Sequence, residues 1–316
     1  MAKCRICGKP GFVYVSEYKG YLCKEHYSRF IESKVDRCVK RFALLRGIKR
    51  LLIGLSGGKD SIALLYIMNR LYGDKIELEG LHINLGIPGY SGESQQIVDK
   101  LSSITGIKVS FINLCADYGF SIKKAADYYF KKRINRPPCS VCGTVKRYLL
   151  NKYAVEKGFD AVATGHNLDD ILRFASTNIV TGDVSNLVKQ VPREESTHPK
   201  IVTKIRPLCY LSNKETLNYV EANNLPIVRT TCPYKPSERK LAPMLASKIG
   251  EIEAVIPGFK SMYINNLWRK IIPSIKTEPV ELNECEICGM PTSIKVCSFC
   301  KIRHILTSDQ SEERFL

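Results

Sequence analysis

Cys139 and Cys142, in the stretch RPPCSVCGTVKR, are spaced as metal ligands, yet two thiolates do not close a metal site. Two other groups are complete. Cys4, Cys7, Cys23 and His26 stand in CRIC and CKEH; Cys285, Cys288, Cys297 and Cys300 stand in CEIC and CSFC. Each group offers four soft or borderline ligands on two short knuckles, the donor set of a closed tetrahedral zinc site, so two Zn2+ ions are expected. Such short segments have little core, and the ion supplies much of their folding free energy. Of the thirteen cysteines, Cys38, Cys115, Cys139, Cys142, Cys209 and Cys232 remain. Cys38, on a helix, Cys115, after an apolar strand, and Cys209, after IRPL, read as buried small residues. Cys232 differs: TTCPYKP sets it on a turn before a proline, a pattern that recurs at iron–sulfur ligands. Cys139, Cys142 and Cys232 together suit a 4Fe–4S cluster with one iron left open. A redox CxxC and a third zinc are the alternatives at this point.

A second chemistry lies upstream. LLIGLSGGKDS sets Ser56, Gly57, Gly58, Lys59, Asp60 and Ser61 between an apolar strand and a helix, with Gly54 just before them. The spacing is not that of a Walker A loop. The physics is similar, because glycines let backbone N–H groups face an anion and the helix N-terminus adds positive potential. Ser56 and Ser61 offer hydroxyls, and Lys59 a charge. SGGKDS resembles the PP-loop of ATP pyrophosphatases, which split ATP between the α- and β-phosphates and adenylate an acceptor. That resemblance implies adenine reading by the backbone near Ile83, in GLHINLG, and a second phosphate-side motif in ATGHNLDD, with Gly165, Asp169 and Asp170. His166 reads as a structural loop residue rather than a base.

These residues need a scaffold. RLLIGLS, IELEGLHINLG, IKVSFINL and DAVATG read as strands; DSIALLYIMNRLYG, SQQIVDKLSSITG, VKRYLLNKYAVEKG and LDDILRFASTNIV read as helices. The alternation predicts an α/β fold: a PP-loop ATPase-type parallel sheet with helices on both faces, flanked by N- and C-terminal zinc modules. SRFIESKVDRCVKRFALLRG predicts a basic amphipathic helix, VTGDVSNLVKQVPREESTHPK a long surface loop, and TSDQSEERFL a frayed tail. The expected domains are 1–30 (zinc module), 31–277 (catalytic) and 278–316 (zinc module).

The chain has 316 residues, 44% of them hydrophobic, enough for a large core. Lys and Arg outnumber Asp and Glu by 48 to 31, a formal charge of +17 that favours a polyanionic partner such as nucleic acid. No apolar run approaches the roughly 20 residues of a bilayer span, and MAKCRICGKP has no apolar signal core. A cytoplasmic location is expected, where cysteines serve as ligands, redox groups or core residues.

CRIC…CKEH, SGGKDS, GLHINLGI, CSVCG, TGHNLDD, TTCP and CEIC…CSFC occur in the order seen in tRNA 2-thiouridine synthetases, and the chain resembles their TtuA group over roughly residues 3–304. The resemblance implies that Cys139, Cys142 and Cys232 hold a 4Fe–4S cluster beside ATP and Mg2+, with Lys146 and Asp170 catalytic. The implied reaction adenylates the C2 oxygen of uridine 54 in the tRNA T loop and then transfers sulfur. The implied partners are tRNA, a thiocarboxylated ubiquitin-like sulfur-carrier protein and a second copy of the chain; no membrane partner is expected. The family commonly carries an acidic residue where this chain has Ile171. A wobble-uridine 2-thiolase and a non-catalytic zinc-ribbon RNA-binding protein are the alternative readings.

Overall fold

The computed structural model describes residues 2–235, 237, 240–276 and 281–308. The chain opens on a hairpin, β1 (Val13–Val15) and β2 (Gly20–Leu22), before helix α1 (Lys24–Arg41). Then β3 (Arg50–Leu55), α2 (Lys59–Tyr72), β4 (Glu77–Asn84), α3 (Ser91–Thr105) and β5 (Val109–Asn113) alternate as expected. The short α4 (Leu114–Tyr118), α5 (Ile122–Lys131) and α6 (Pro138–Glu156) follow, then β6 (Ala161–Ala163) and α7 (Leu168–Thr181).

The central sheet has six strands in the order β5-β4-β3-β6-β8-β7, where β7 is Arg193–Glu194 and β8 is Thr203–Ile205. Five strands run parallel, and β7 is an antiparallel edge on β8. Leu51, Ile53 and Leu55 enter a core with α1, α2 and α7, whereas Leu52 enters a second core with α5 and α6. The period-two alternation with both faces covered is why RLLIGL reads as a continuous apolar run. Strand order reverses between β3 and β6, and in such sheets the crevice beyond the strand ends at the reversal takes the ligand.

The stretch expected as a long loop after α7 is partly ordered. Asp183 caps α8 (Val184–Leu187), Leu187 is buried, and β7 follows. These elements are too short to show a period. The chain continues through α9 (Asn213–Ala222), α10 (Leu241–Val255), α11 (Phe259–Asn266) and a π-helical turn at Leu267–Ile271 into α12 (Ile272–Ser274). Trp268 in that turn donates its indole N–H to Gln190 O (2.6 Å), pinning the loop to the core. A hairpin of β9 (Asn283–Glu284) and β10 (Pro291–Thr292) and helix α13 (Ser298–Thr307) close the described chain.

The expected boundary at residue 30 falls inside α1, because the helix begins at Lys24. The boundary at 277/278 and the tail 309–316 lie outside the described residues. Both terminal segments share cores with the sheet: Cys4, Leu22 and Cys23 belong to one, and Cys285, Cys297 and Phe299 to the other. Phe299 stacks on Tyr148 of α6 at 3.9 Å with planes 7° apart. Among the described residues no helix is long and apolar enough to cross a membrane.

Candidate functional site

A tetrahedral ion with Zn–S of about 2.3 Å and Zn–N of about 2.0–2.1 Å sets ligands about 3.8 Å (S to S) and about 3.6 Å (S to N) apart. Cys7 and Cys23 sulfurs are 3.7 Å apart, and His26 Nδ1 lies 3.6 Å from Cys4 Sγ and 3.3 Å from Cys23 Sγ. Cys288 and Cys297 sulfurs are 3.8 Å apart. Ligand atoms of Cys4, Cys7, Cys23 and His26, and of Cys285, Cys288, Cys297 and Cys300, all lie within 4.8 Å of one another in each group. Burial pushes the Cys4 and Cys285 thiols up. Backbone hydrogen bonds from neighbouring knuckle residues outweigh it and bring each down to about 6, favouring the thiolate a metal needs. Both groups therefore fit one closed zinc site each. Cys285→Ser is expected to lose one of two zinc equivalents and open the chain after residue 281 to protease, with the first site still filled. Metal analysis and limited proteolysis read both effects.

Cys139, Cys142 and Cys232 do not form such a compact group; the three thiols are not all within 4.8 Å of one another. A cluster interposes several irons and sulfides, so its ligands stand wider apart than around one ion. The helix expected to begin at Val145 begins at Pro138, with proline in its first turn, so Cys139 lies on the first turn of α6 and Cys142 at the start of the second, not in a loop before it. Their i, i+3 spacing puts them on one face, and Lys146 follows one turn later. Cys232 precedes a turn closed by Lys235 N donating to its carbonyl (3.1 Å), and Cys139 Sγ donates to Tyr234 O (2.7 Å). The Cys139 thiol is pushed up by burial and by its neighbours Cys142 and Cys232, against the pull of Lys146. All three cysteines are partly accessible. An open, wide thiol triad fits a cluster with a free iron better than a closed zinc site.

The nucleotide loop links β3 to α2. Gly57 has φ 78°, and a Cβ there would lie 2.8 Å from Val228 Cγ2 and 3.1 Å from the Ser94 backbone. Only glycine suits both the conformation and the contact. Ser56 and Ser61 hydroxyls sit 3.2 Å apart, and Ser61 Oγ donates to Gly58 O (2.9 Å). A Cβ on Gly165 would meet the Asp60–Ser61 peptide at 2.9 Å, so the loop after β6 lies directly on the start of α2. Gly54 faces Leu150 of α6, and Ile83 is buried near the end of β4.

Lys59, expected to offer its charge to phosphate, opens α2. Its Nζ pairs with Asp60 (2.7 Å) and donates to Asn213 Oδ1 (2.8 Å). Asp60 Oδ1 also accepts from Thr216 Oγ1 (2.8 Å) and Asn167 Nδ2 (2.9 Å). Asp169 pairs with Lys260 and accepts from Asn213 N (2.6 Å), tying α7 to α9 and α11. Asp170 faces Arg173 (2.9 Å). Burial holds its carboxyl above the usual range; Arg173 opposes that shift and Asp60 adds to it. Ile171 is fully buried in the core beside Leu168, Leu172 and Ala175, so that position looks inward. Asp60 and Asp170, whose charges act on each other, are a pair of carboxylates that could hold Mg2+ on giving up their contacts to Lys59 and Arg173.

His166 bonds Thr164 Oγ1 through Nδ1 (2.8 Å), and burial together with Arg206, Arg173, Lys146 and Arg147 pushes it down to about 4. It is a neutral loop residue ringed by cations, and those cations suit an anionic substrate. Cys38 and Cys209 are buried with sulfurs 3.2 Å apart. Cys115, expected buried, is exposed in the first turn of α4. Sequence reasoning missed Asn167, Asn213 and Thr216. Only Asn167 carried a signal, as the N-cap of the LDD helix.

Residues 28–231 match the PP-loop domain family. The chain is 35% identical to the tRNA-5-methyluridine(54) 2-sulfurtransferase of Pyrococcus horikoshii, over 95% of this chain and 93% of that protein. The protein of the same name in Thermotoga maritima is 34% identical, over 95% and 96%. The solved U34-tRNA thiolase NcsA of Methanococcus maripaludis, with its [4Fe-4S] cluster, superposes with a TM-score of 0.77 at 28% identity, covering 96% of this chain and 95% of that one. Enzyme relatives along nearly the whole length displace the reading as a non-catalytic RNA-binding protein. A nucleotide loop at the sheet's reversal point, three open thiols and these relatives lead to one conclusion: the chain belongs to the PP-loop family of tRNA 2-sulfurtransferases.

Proposed function

We propose that this protein 2-thiolates uridine 54 of the tRNA T loop with ATP. The observation that carries the reading is the contact between its two halves: Val228 N, four residues before Cys232, donates to Gly57 O of the nucleotide loop (3.0 Å). An activated base held at the loop is thereby within reach of the thiol triad. Position 54 is favoured over the wobble base because the relatives at 35% and 34% identity carry that name, whereas the wobble thiolase stands at 28%. His26 as fourth ligand of the first zinc group agrees with it.

Uracil C2 is a poor electrophile. Gly57, Gly58 and the α2 N-terminus hold the phosphates, with Gly54, Ser56, Ser61, Ile83 and Gly165 completing the ATP site. Asp60 and Asp170 would hold Mg2+, and Lys146 counters charge developing on phosphate. The C2 oxygen attacks the α-phosphate and pyrophosphate leaves. A sulfur nucleophile then adds at C2, the C2–O bond breaks, and AMP carries the oxygen away. Cys139, Cys142 and Cys232 would hold a 4Fe–4S cluster, which supplies an iron without a protein ligand as a place for sulfur. The sulfur source is a thiocarboxylated ubiquitin-like carrier, and the enzyme works in the cytoplasm, as a homodimer. The segments that carry the two four-ligand groups act as zinc modules that grip RNA beside the catalytic domain. The T-loop uridine must leave its stack to reach the crevice.

Mass spectrometry of nuclease fragments of tRNA from a deletion strain tests the assignment. The 2-thio group is expected to vanish from the T-loop fragment and to persist at position 34. Loss from the anticodon fragment alone would establish the wobble reading instead. AMP and pyrophosphate, not ADP and phosphate, are the expected tRNA-dependent products.

A further inference from the structure

The segment that carries Cys232 is clamped, and Glu93 forms half of the clamp. Glu93 lies at the start of α3, next to Ser94, the residue against which Gly57 packs. Its Oε1 accepts from Arg229 N (2.8 Å) and its Oε2 from Thr230 N (3.3 Å). The neighbouring Val228 N is taken by Gly57 O (3.0 Å). Three successive backbone N–H groups of an otherwise irregular stretch are thus spoken for, two by one carboxylate and one by the nucleotide loop.

Beyond Cys232 the segment is held by Cys139 Sγ donating to Tyr234 O (2.7 Å). A thiol that ligates iron has lost its proton, so that bond cannot persist with a cluster bound. The Gly57 and Glu93 contacts need no such proton and remain. Phosphates bound to the loop order the Gly57 peptide, whose carbonyl faces Val228. A change at either site is therefore transmitted through residues 228–230 to the other, provided Glu93 keeps them in register.

We propose that Glu93 is a positioning residue that clamps the Cys232 segment to the nucleotide loop and thereby couples ATP binding to retention of the iron–sulfur cluster. The proposal rests on the cluster reading above. Linkage makes such coupling reciprocal in affinity: ATP must favour the cluster-bound protein by the factor by which the cluster raises ATP affinity, and slower cluster loss is its kinetic sign.

The test uses the full chain, reconstituted with iron and sulfide without oxygen, with ATP alone as the nucleotide. Iron release to a chelator is timed with and without ATP, and ATP affinity is measured with and without the cluster. In the wild type both ratios are expected at about fivefold or more, and in Glu93→Ala both fall below about twofold, although ATP and zinc still bind. Glu93→Gln keeps one acceptor oxygen and is expected to show an intermediate ratio; it decides the matter if the alanine variant loses zinc and does not fold. An ordinary helix-end contact would lower both affinities without changing their ratio. Ratios in the variants equal to the wild-type ones overturn the clamp alone, as do wild-type ratios of one. A wild type that takes up no cluster overturns the cluster reading and the clamp with it.

Discussion

Cys139→Ala, purified without oxygen, is expected to carry both zinc ions, lack the iron chromophore and form no 2-thiouridine, even with ATP and external sulfide. Cys139 sits on the first turn of α6, where Cys142 and Cys232 both act on its thiol, so its loss leaves two thiols on different elements. Neither zinc group includes a residue of this turn, which separates the two metals in the assay. Binding of tRNA should survive, because it draws on the basic surface. Raising salt from about 50 to 200 mM should weaken that affinity steeply, and with the same slope in wild type and variant. Normal thiolation from free sulfide would make the cluster structural and a cysteine persulfide the better sulfur carrier.

Asp170→Asn is expected to lose activity by at least about a hundredfold, the scale seen when one positioned charged or hydrogen-bonding group is removed from a reacting centre. The same variant should make the nucleotide-free protein more stable. Asp170 has its carboxyl raised above the ordinary aspartate value, mainly by burial. A raised carboxyl stabilises the fold in its protonated form, below the unfolded value, and that contribution is lost as pH rises through the folded value. At neutral pH the wild type therefore bears the cost of an ionised buried group, which asparagine removes while still accepting from Arg173. The variant should melt higher at pH 7, by about 2 °C. The gap should close as the pH falls and the wild-type carboxyl protonates. A variant that melts lower at pH 7 would mean that the Arg173 pairing outweighs burial.

What the sequence made legible was chemistry written in short spacings. CxxC pairs, CKEH and SGGKDS need only a few neighbouring residues to state their purpose, and the apolar run at Leu51–Leu55 marked a strand buried on both faces. What escaped depends on distant partners. Asp169 looked like a phosphate-side group until Lys260, 91 residues on, was seen to hold it. Glu93 serves residues 136 positions away. Strands β7 and β8 are two and three residues long, below what any periodicity reveals. Cys115 followed an apolar strand and so looked interior, but the chain turns there into a surface helix.

Helix α6 carries Cys139 and Cys142 at its start, Lys146 a turn later and Tyr148 against Phe299 beyond. It therefore acts as a ruler with a fixed phase. At 1.5 Å per residue, Cys139 lies about 10 Å along the axis from the lysine and about 13 Å from the aromatic stack, and Cys142 about 6 Å and about 9 Å. Side-chain exchange along this helix leaves those intervals intact. A single inserted or deleted residue between Cys142 and Lys146 would turn one end against the other by about 100°. Between Cys142 and Tyr148 the number of residues therefore matters as much as the identity of the three functional side chains that the helix carries.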